Sequence, residues 1–266
     1  MEGRLKTKLE LRNVSKSFAR TDADEITHAL DNINLTFEDG EFVCIVGASG
    51  CGKSTILRLI AGLIPPTSGE IILNDKVIEG TCSDRGMVFQ APTLFPWLTV
   101  KENVAFGLKV QGKTDQLNKV DELIDMIGLS EFKDSYPTQL SGGMAQRVSL
   151  IRTMINEPSV FLLDEPLGAL DAFTRMNIQD ELISMWLKKR NTMIMVTHDV
   201  DEAIYMSTRI IVMAPRPGRV LKDIKVNLEE GFRNRISDEF LEYRKTIMDL
   251  LDMGHKEGEM KNEKNN

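Results

Sequence analysis

"GASGCGKST", residues Gly47 to Thr55, holds three glycines and a lysine in nine positions. It follows "FVCIV" (Phe42–Val46), an apolar run with the length and β-branched content of a buried strand. It precedes "ILRLIAGL", where Ile56, Leu57, Ile60 and Leu63 recur at helical spacing. The glycines therefore sit on a strand-to-helix turn. Gly47, Gly52, Lys53 and Ser54 fill the fixed places of G-x-x-x-x-G-K-[ST]. Gly50 and Gly52 have no Cβ, so their amides can turn inward and approach a ligand closely. Ala48, Ser49, Cys51 and Thr55 complete the cradle. Unpaired amides at a helix N-terminus, together with the helix dipole, favour an anion. Lys53 is placed to reach β- and γ-phosphates, and the Ser54 hydroxyl to take a place on Mg²⁺. The expected ligand is a nucleoside triphosphate.

The chain has 266 residues, long enough to bury a sizeable core as one α/β domain with subdomains. Its 33 basic and 40 acidic residues leave a formal charge of −7, which argues against a general nucleic-acid-binding surface. "MEGRLKTKLE" has no apolar core of a signal peptide, and no apolar run approaches the roughly 18 residues of a membrane span. Cys44, Cys51 and Cys82 are scattered and odd in number, as expected of reduced thiols rather than a disulfide framework or zinc site. These features predict a chain that is soluble and cytosolic.

"KLELRNV" and "NINLTF" alternate like strands, and Asp39-Gly40 has the chemistry of a hairpin turn into the Phe42 strand. "PPTSGE" breaks the chain before short strands around Ile71–Leu73 and Met87–Phe89. From Val100 to Ile155 the pattern is helical. Leu117, Val120, Ile124 and Ile127 share a face that Gly128 is placed to stop, and a helix starting near Ser141 carries Val148, Ile151 and Ile155. "SVFLL" and "TMIMV" are buried strands flanking an amphipathic helix. A strand pair in "RIIVM" and "GRVLKDIKV" and a helix in "DEFLEYRKTIMDLLDM" follow. Strands alternating with helices predict a mostly parallel sheet covered on both faces, interrupted by a helical insertion. The methionines, 14 in all, fall within helix and strand patterns and read as core filler.

A phosphate loop alone does not separate a kinase from a GTPase or a motor. "SVFLLDEP" adds Asp164 at the end of an apolar strand, where a carboxylate can hold Mg²⁺, and Glu165 one step beyond, where it could polarise a water. His198 follows the next apolar strand, at the edge where open α/β sheets bind ligands. His28 and His255 read as structural. "LSGGMAQR" (Leu140–Arg147) is a second glycine-rich helix start, a second anion cradle. One chain has no evident use for two cradles on one nucleotide, whereas two chains could each close the other's site.

In combination these motifs resemble the ATP-binding subunits of ABC transporters, over about Leu9 to Val226. "GASGCGKST" is similar to the Walker A loop, "VFLLDE" to the Walker B strand with its catalytic glutamate, and "LSGGMAQR" to the signature. The resemblance implies a P-loop ATPase core with an N-terminal antiparallel β subdomain. It implies Glu165 and His198 as catalytic residues, and Ser54, Gln90 and Asp164 around Mg²⁺. It also implies Ser141, Gly142, Gly143 and Gln146 acting on a second copy's ATP. "LGALD" resembles the D-loop ending at Asp171, with Gly168 where serine is more usual. Gln90 matches the Q-loop glutamine that senses the membrane subunits. Phe18 falls where an aromatic ring stacks on adenine, although a place in the core fits it nearly as well. The domain is expected over 8–228, with its helical subdomain at about 93–156, a helical extension at 229–254 and a disordered tail at 255–266.

"SDRGMVFQ", "APTLFPWLTVKENVAFGL" and "APRPGR" resemble the nitrate, sulfonate and taurine importer branch. That implies permease subunits as partners, indirectly a solute-binding protein, and a place on the cytoplasmic side of the membrane. Leu94, Phe95, Trp97 and Leu98 are either a docking surface for those subunits or ordinary core. Other transporter classes and soluble ABC ATPases share the catalytic residues. No transmembrane span, coiled-coil insertion or second cassette accompanies them here.

Overall fold

The computed structural model of the chain describes residues 7–19, 26–168, 170–231 and 233–263, with side chains through Gly254. The first half contains β1 (Leu9–Ala19), β2 (Ile26–Phe37), β3 (Phe42–Gly47), α1 (Lys53–Ile60), β4 (Ser68–Leu73), β5 (Lys76–Val77) and β6 (Arg85–Val88). Three helices follow: α2 (Val100–Val110), α3 (Lys119–Met126) and α4 (Gly142–Met154). The chain then runs through β7 (Val160–Asp164), α5 (Ala172–Lys189), β8 (Thr192–Val196), α6 (Val200–Met206), β9 (Arg209–Met213), β10 (Val220–Lys225) and α7 (Asp238–Glu263).

The strands form two sheets, in the orders β2-β1-β4-β5 and β10-β9-β3-β8-β7-β6. Every pair in the first is antiparallel. In the second only the β9–β10 edge is antiparallel. The mostly parallel α/β core and the N-terminal antiparallel sheet are thus as the motifs implied. Helices α2 to α4 are inserted between β6 and β7, which are themselves parallel neighbours.

Strand β3 shows why an apolar run without polar alternation fits the centre of this fold. All six of its residues are buried. Phe42, Cys44 and Val46 point into the core shared with the inserted helices and α5 to α7. Val43 and Ile45 point into a second core between the two sheets, around Ile56, Leu57 and Ile60 of α1. Successive side chains on a strand take opposite faces, so a strand covered on both sides must be apolar throughout. Phe161 and Leu163 against Val160 and Leu162 repeat the division on β7.

Two expectations are corrected. Asp39-Gly40 does not close a hairpin: β2 pairs with β1, while both edges of β3 are taken by β8 and β9. Gly40, at φ 76, turns the chain from one sheet into the other, and its amide is held by Thr192 Oγ1 at 3.2 Å. Helix α7 continues to Glu263, through most of the stretch whose polar composition suggested disorder. Its Lys, Glu and Met residues are good helix formers once the preceding turns are docked.

Candidate nucleotide site

The phosphate loop leaves the end of β3 and enters α1 through Gly52, which caps the helix at φ 100 with no side-chain hydrogen bond. A Cβ there would lie 2.5 Å from Leu30 Cδ2, so both the dihedral and the space require glycine. The first-turn amides of α1 are therefore left to backbone or ligand. Cys51 N donates to Ala48 O at 3.3 Å and tightens the loop. Lys53 is buried, and its ammonium donates to Gly47 O at 2.8 Å and Ala48 O at 3.0 Å. Cys51 is buried beneath it, and burial pushes that thiol's pKa up.

Where the loop enters α1, Ser54 Oγ donates to Asp164 Oδ1 at 2.7 Å. Asp164 is 3 % exposed, and desolvation raises its pKa, with the Ser54 bond acting the other way. A hydroxyl beside a desolvated carboxylate is a donor set that fits a hard divalent cation, whose charge would offset that desolvation. Among the described residues no cluster of three or more His, Cys, Asp or Glu could hold a metal. Phosphate oxygens and water would complete such a coordination sphere.

Glu165 Oε2 accepts from Gln90 Nε2 at 3.2 Å and lies 3.2 Å from His198 Nδ1. Three separate strand ends thus bring one carboxylate, one amide and one imidazole together. Glu165 has φ 44, left-handed for a residue with a side chain, and its amide extends the β7–β8 ladder to Val196 O at 3.0 Å. The strained turn projects the carboxylate from the sheet edge.

Ser54, Gln90, Glu165 and His198 face one cleft of about 360 Å³, lined also by Phe18, Thr27, Ala29, Ser49, Gly50, Gly52, Lys53, Thr55 and Arg216, and Asp164 lies behind Ser54. Phe18 is 40 % exposed and forms part of the cleft wall, so it is not a core residue. Thr27 and Ala29 had no motif to announce them, and Arg216 lies in "APRPGR", a stretch that pointed to an importer branch and not to the nucleotide cleft. Gly218 lies tightly against the Cys51 carbonyl and bonds Ala29 O at 2.9 Å, which carries Arg216 to the rim of the loop. A basic residue beside the proline after β9 was the available signal.

Ser141, Gly142 and Gly143 are not in that cleft. Ser141 caps α4, accepting from Met144 N at 3.3 Å, and the space beside Gly142 is open. Asp171 caps α5 through Thr174 N at 3.0 Å. Gln146 requires a correction. It is 2 % exposed, and its amide donates to Phe89 O at 3.1 Å, so it faces its own chain and not a partner's nucleotide. It ties the signature helix to the backbone next to Gln90.

Of the four apolar residues after Gln90, Leu94 packs on the core, while Trp97 is 70 % exposed. Phe95 lies between two further rings, with centroids 5.6 Å from Trp97 and 4.6 Å from Phe106. A surface groove of about 570 Å³ runs beside them along Phe95, Phe106, Val110 and Arg152.

Residues 30–168, including the phosphate loop, Gln90, the second cradle and Asp164-Glu165, match the ABC transporter family. The chain belongs to that family. It is an ATP-binding cassette ATPase. The aliphatic sulfonates import ATP-binding protein SsuB of Bacillus cereus is 44 % identical over 92 % of this chain and 96 % of its own. The taurine import ATP-binding protein TauB of Roseobacter denitrificans is 46 % identical over 83 % and 82 %. The ATP-binding cassette MJ0796, solved as a post-hydrolysis dimer bound to ADP and Pi, superposes with a TM-score of 0.74. It is 34 % identical and covers 83 % of this chain and 100 % of its own. Among the described residues no helix of this ATPase is long and apolar enough to cross a membrane.

Proposed function

We propose that this chain is the ATPase subunit of an importer for sulfonate-type solutes such as taurine or an alkanesulfonate. The observation that carries the catalytic part is the single Glu165 oxygen shared by Gln90 and His198, facing the phosphate loop across one cleft. The loop amides and Lys53 hold the β- and γ-phosphates, and Phe18 gives the adenine a ring to stack on. Ser54, Asp164 and Gln90 hold Mg²⁺, which when bound neutralises developing phosphate charge. Glu165 accepts the proton of the attacking water. His198 donates to the γ-phosphate and keeps Glu165 aimed.

Ser141 to Gly143 lie outside this cleft, so they serve the nucleotide of a second copy, the two chains closing head to tail on two ATP molecules. MJ0796, at 34 % identity, is described as dimeric and bound to hydrolysis products, which supports that arrangement. Asp171 lies at the same junction. The Trp97–Phe106 surface receives the permease subunits on the cytoplasmic side, and Gln90, tied through Phe89 to the signature helix, reports their movement. A solute-binding protein acts through those subunits. The sulfonate assignment is supported by the SsuB and TauB relatives.

The test is uptake of a radiolabelled alkanesulfonate by vesicles carrying the chain with its permease and binding protein. ATP-dependent uptake lost in Lys53→Ala is expected. Uptake of an unrelated solute with no response to sulfonates would overturn the substrate class.

A further inference from the structure

The catalytic cleft uses Glu165 and His198, but a second carboxylate lies buried behind them with no part in that scheme. Glu202, on α6, is 4 % exposed. Its Oε1 accepts from Gln179 Nε2 of α5 at 3.1 Å. The Thr197 hydroxyl is its other hydrogen-bonding neighbour. Thr197 and Gln179 are themselves only 3 % and 2 % exposed, so these bonds are sheltered from water.

The same residues hold the backbone on both sides of His198. Asp199 N donates to Thr197 Oγ1 at 3.1 Å, and Glu202 N donates to Asp199 Oδ1 at 3.1 Å. The ring thus runs from the Glu202 carboxylate to Thr197, across to Asp199 and back to Glu202, with His198 at its crest. Its outer side is also fixed. Arg235 donates to Gln179 Oε1 at 2.6 Å and stacks on Tyr205, with its guanidinium carbon 3.8 Å from the ring centroid. Arg175, beside the D-loop, lies 3.8 Å from Asp199 Oδ2. A hydrogen-bonded network anchored on three buried side chains has one geometry, whereas an apolar contact would tolerate several.

We infer that Glu202 is a positioning residue for hydrolysis, holding the Thr197–Asp199 loop so that the His198 imidazole meets Glu165 and the γ-phosphate. The inference rests on the role of His198 proposed above. Burial raises the pKa of Glu202, and the Thr197 and Gln179 hydrogen bonds oppose that rise; Asp199 raises it further and Arg175 lowers it. Its hydrogen-bond partners are therefore what make the position habitable. The imidazole is largely exposed, and its hydrogen-bond partner among the described residues is Glu165, so its direction depends on the backbone beneath it.

Steady-state hydrolysis by the full chain, with kcat and KM measured separately, tests this for Glu202→Ala, Glu202→Gln, His198→Ala and the Glu202→Ala/His198→Ala double variant. Glu202→Ala should lower kcat by about 10–100-fold, the cost of a reactive group misplaced by about 1 Å, with KM for ATP unchanged. Glu202→Gln can still accept from Gln179 and donate to Thr197, and should recover most of that loss. Adding Glu202→Ala to His198→Ala should cost less than about twofold, because both remove one effect. Equal losses in the two backgrounds, or a change confined to KM, would overturn the inference. A His198→Ala chain with unchanged kcat would instead overturn the role of His198 itself.

A second readout does not need turnover. The chain has three histidines, so the His198 ring resonances can be assigned by their loss in His198→Ala. In Glu202→Ala those resonances should shift or broaden while those of His28, on β2, stay in place. A folded Glu202→Ala chain with an unmoved His198 spectrum would contradict the proposal.

Discussion

Glu165 is held at φ 44, where a side chain costs about 1–2 kcal/mol relative to ordinary backbone. The residue pays that strain to leave β7 with its carboxylate beside Gln90 and His198. Glu165→Gly should therefore unfold at the same temperature as the parent chain or higher in nucleotide-free thermal melts, while losing hydrolysis. A melting temperature several degrees lower would mean that the turn is not strained. Lys53→Ala removes the cation that two loop carbonyls hold at the mouth of the cradle. It should weaken ATP binding by about 10–100-fold, the scale of a lost charged hydrogen bond. Unchanged affinity in a nucleotide titration would remove the loop from the site. The identities of these residues were legible because the phosphate loop and the Asp164-Glu165 pair carry spacing. The strain at Glu165 was not, since dihedrals leave no mark on residue type unless glycine occupies the position.

Helix starts were the most legible elements. Ser141 and Asp171 each cap a helix whose start was read from the sequence, whereas the α6 start at Asp199, capped in the same way, was not read. Sheet partners were not legible: Asp39-Gly40 has hairpin chemistry, yet the edges of β3 are claimed by strands some 150 residues further on. Nor could spacing show that Gln146 turns inward, because a glutamine at that helix position fits either face. Ser141→Arg should leave ATP binding by the isolated chain intact, since the residue is exposed and outside the cleft. It should cost about 1 kcal/mol in unfolding free energy through the lost cap and stop hydrolysis. Loss of ATP binding by the monomer would contradict the division of labour between the two cradles. Trp97 and Val110 are each 70 % exposed, so the Trp97→Ala/Val110→Ala chain should keep its stability within about 0.5 kcal/mol. Its basal hydrolysis should also persist while its assembly with the permease weakens. Full retention in co-purification would return both residues to ordinary surface.

Across the whole molecule, the cleft and the second cradle lie on one chain but do not meet in it. In the function proposed above, ATP joins two copies and its hydrolysis opens them. The measurement that tests this most directly is sedimentation velocity of Glu165→Gln with excess ATP and Mg²⁺. The amide keeps the shape of the carboxylate but cannot take a proton, so turnover should fall about 10²–10⁴-fold while ATP stays bound. With the γ-phosphate retained, the closed dimer should accumulate, whereas the parent chain should sediment mainly as a monomer under the same conditions. A Glu165→Gln chain that remains monomeric while demonstrably loaded with ATP would contradict the account.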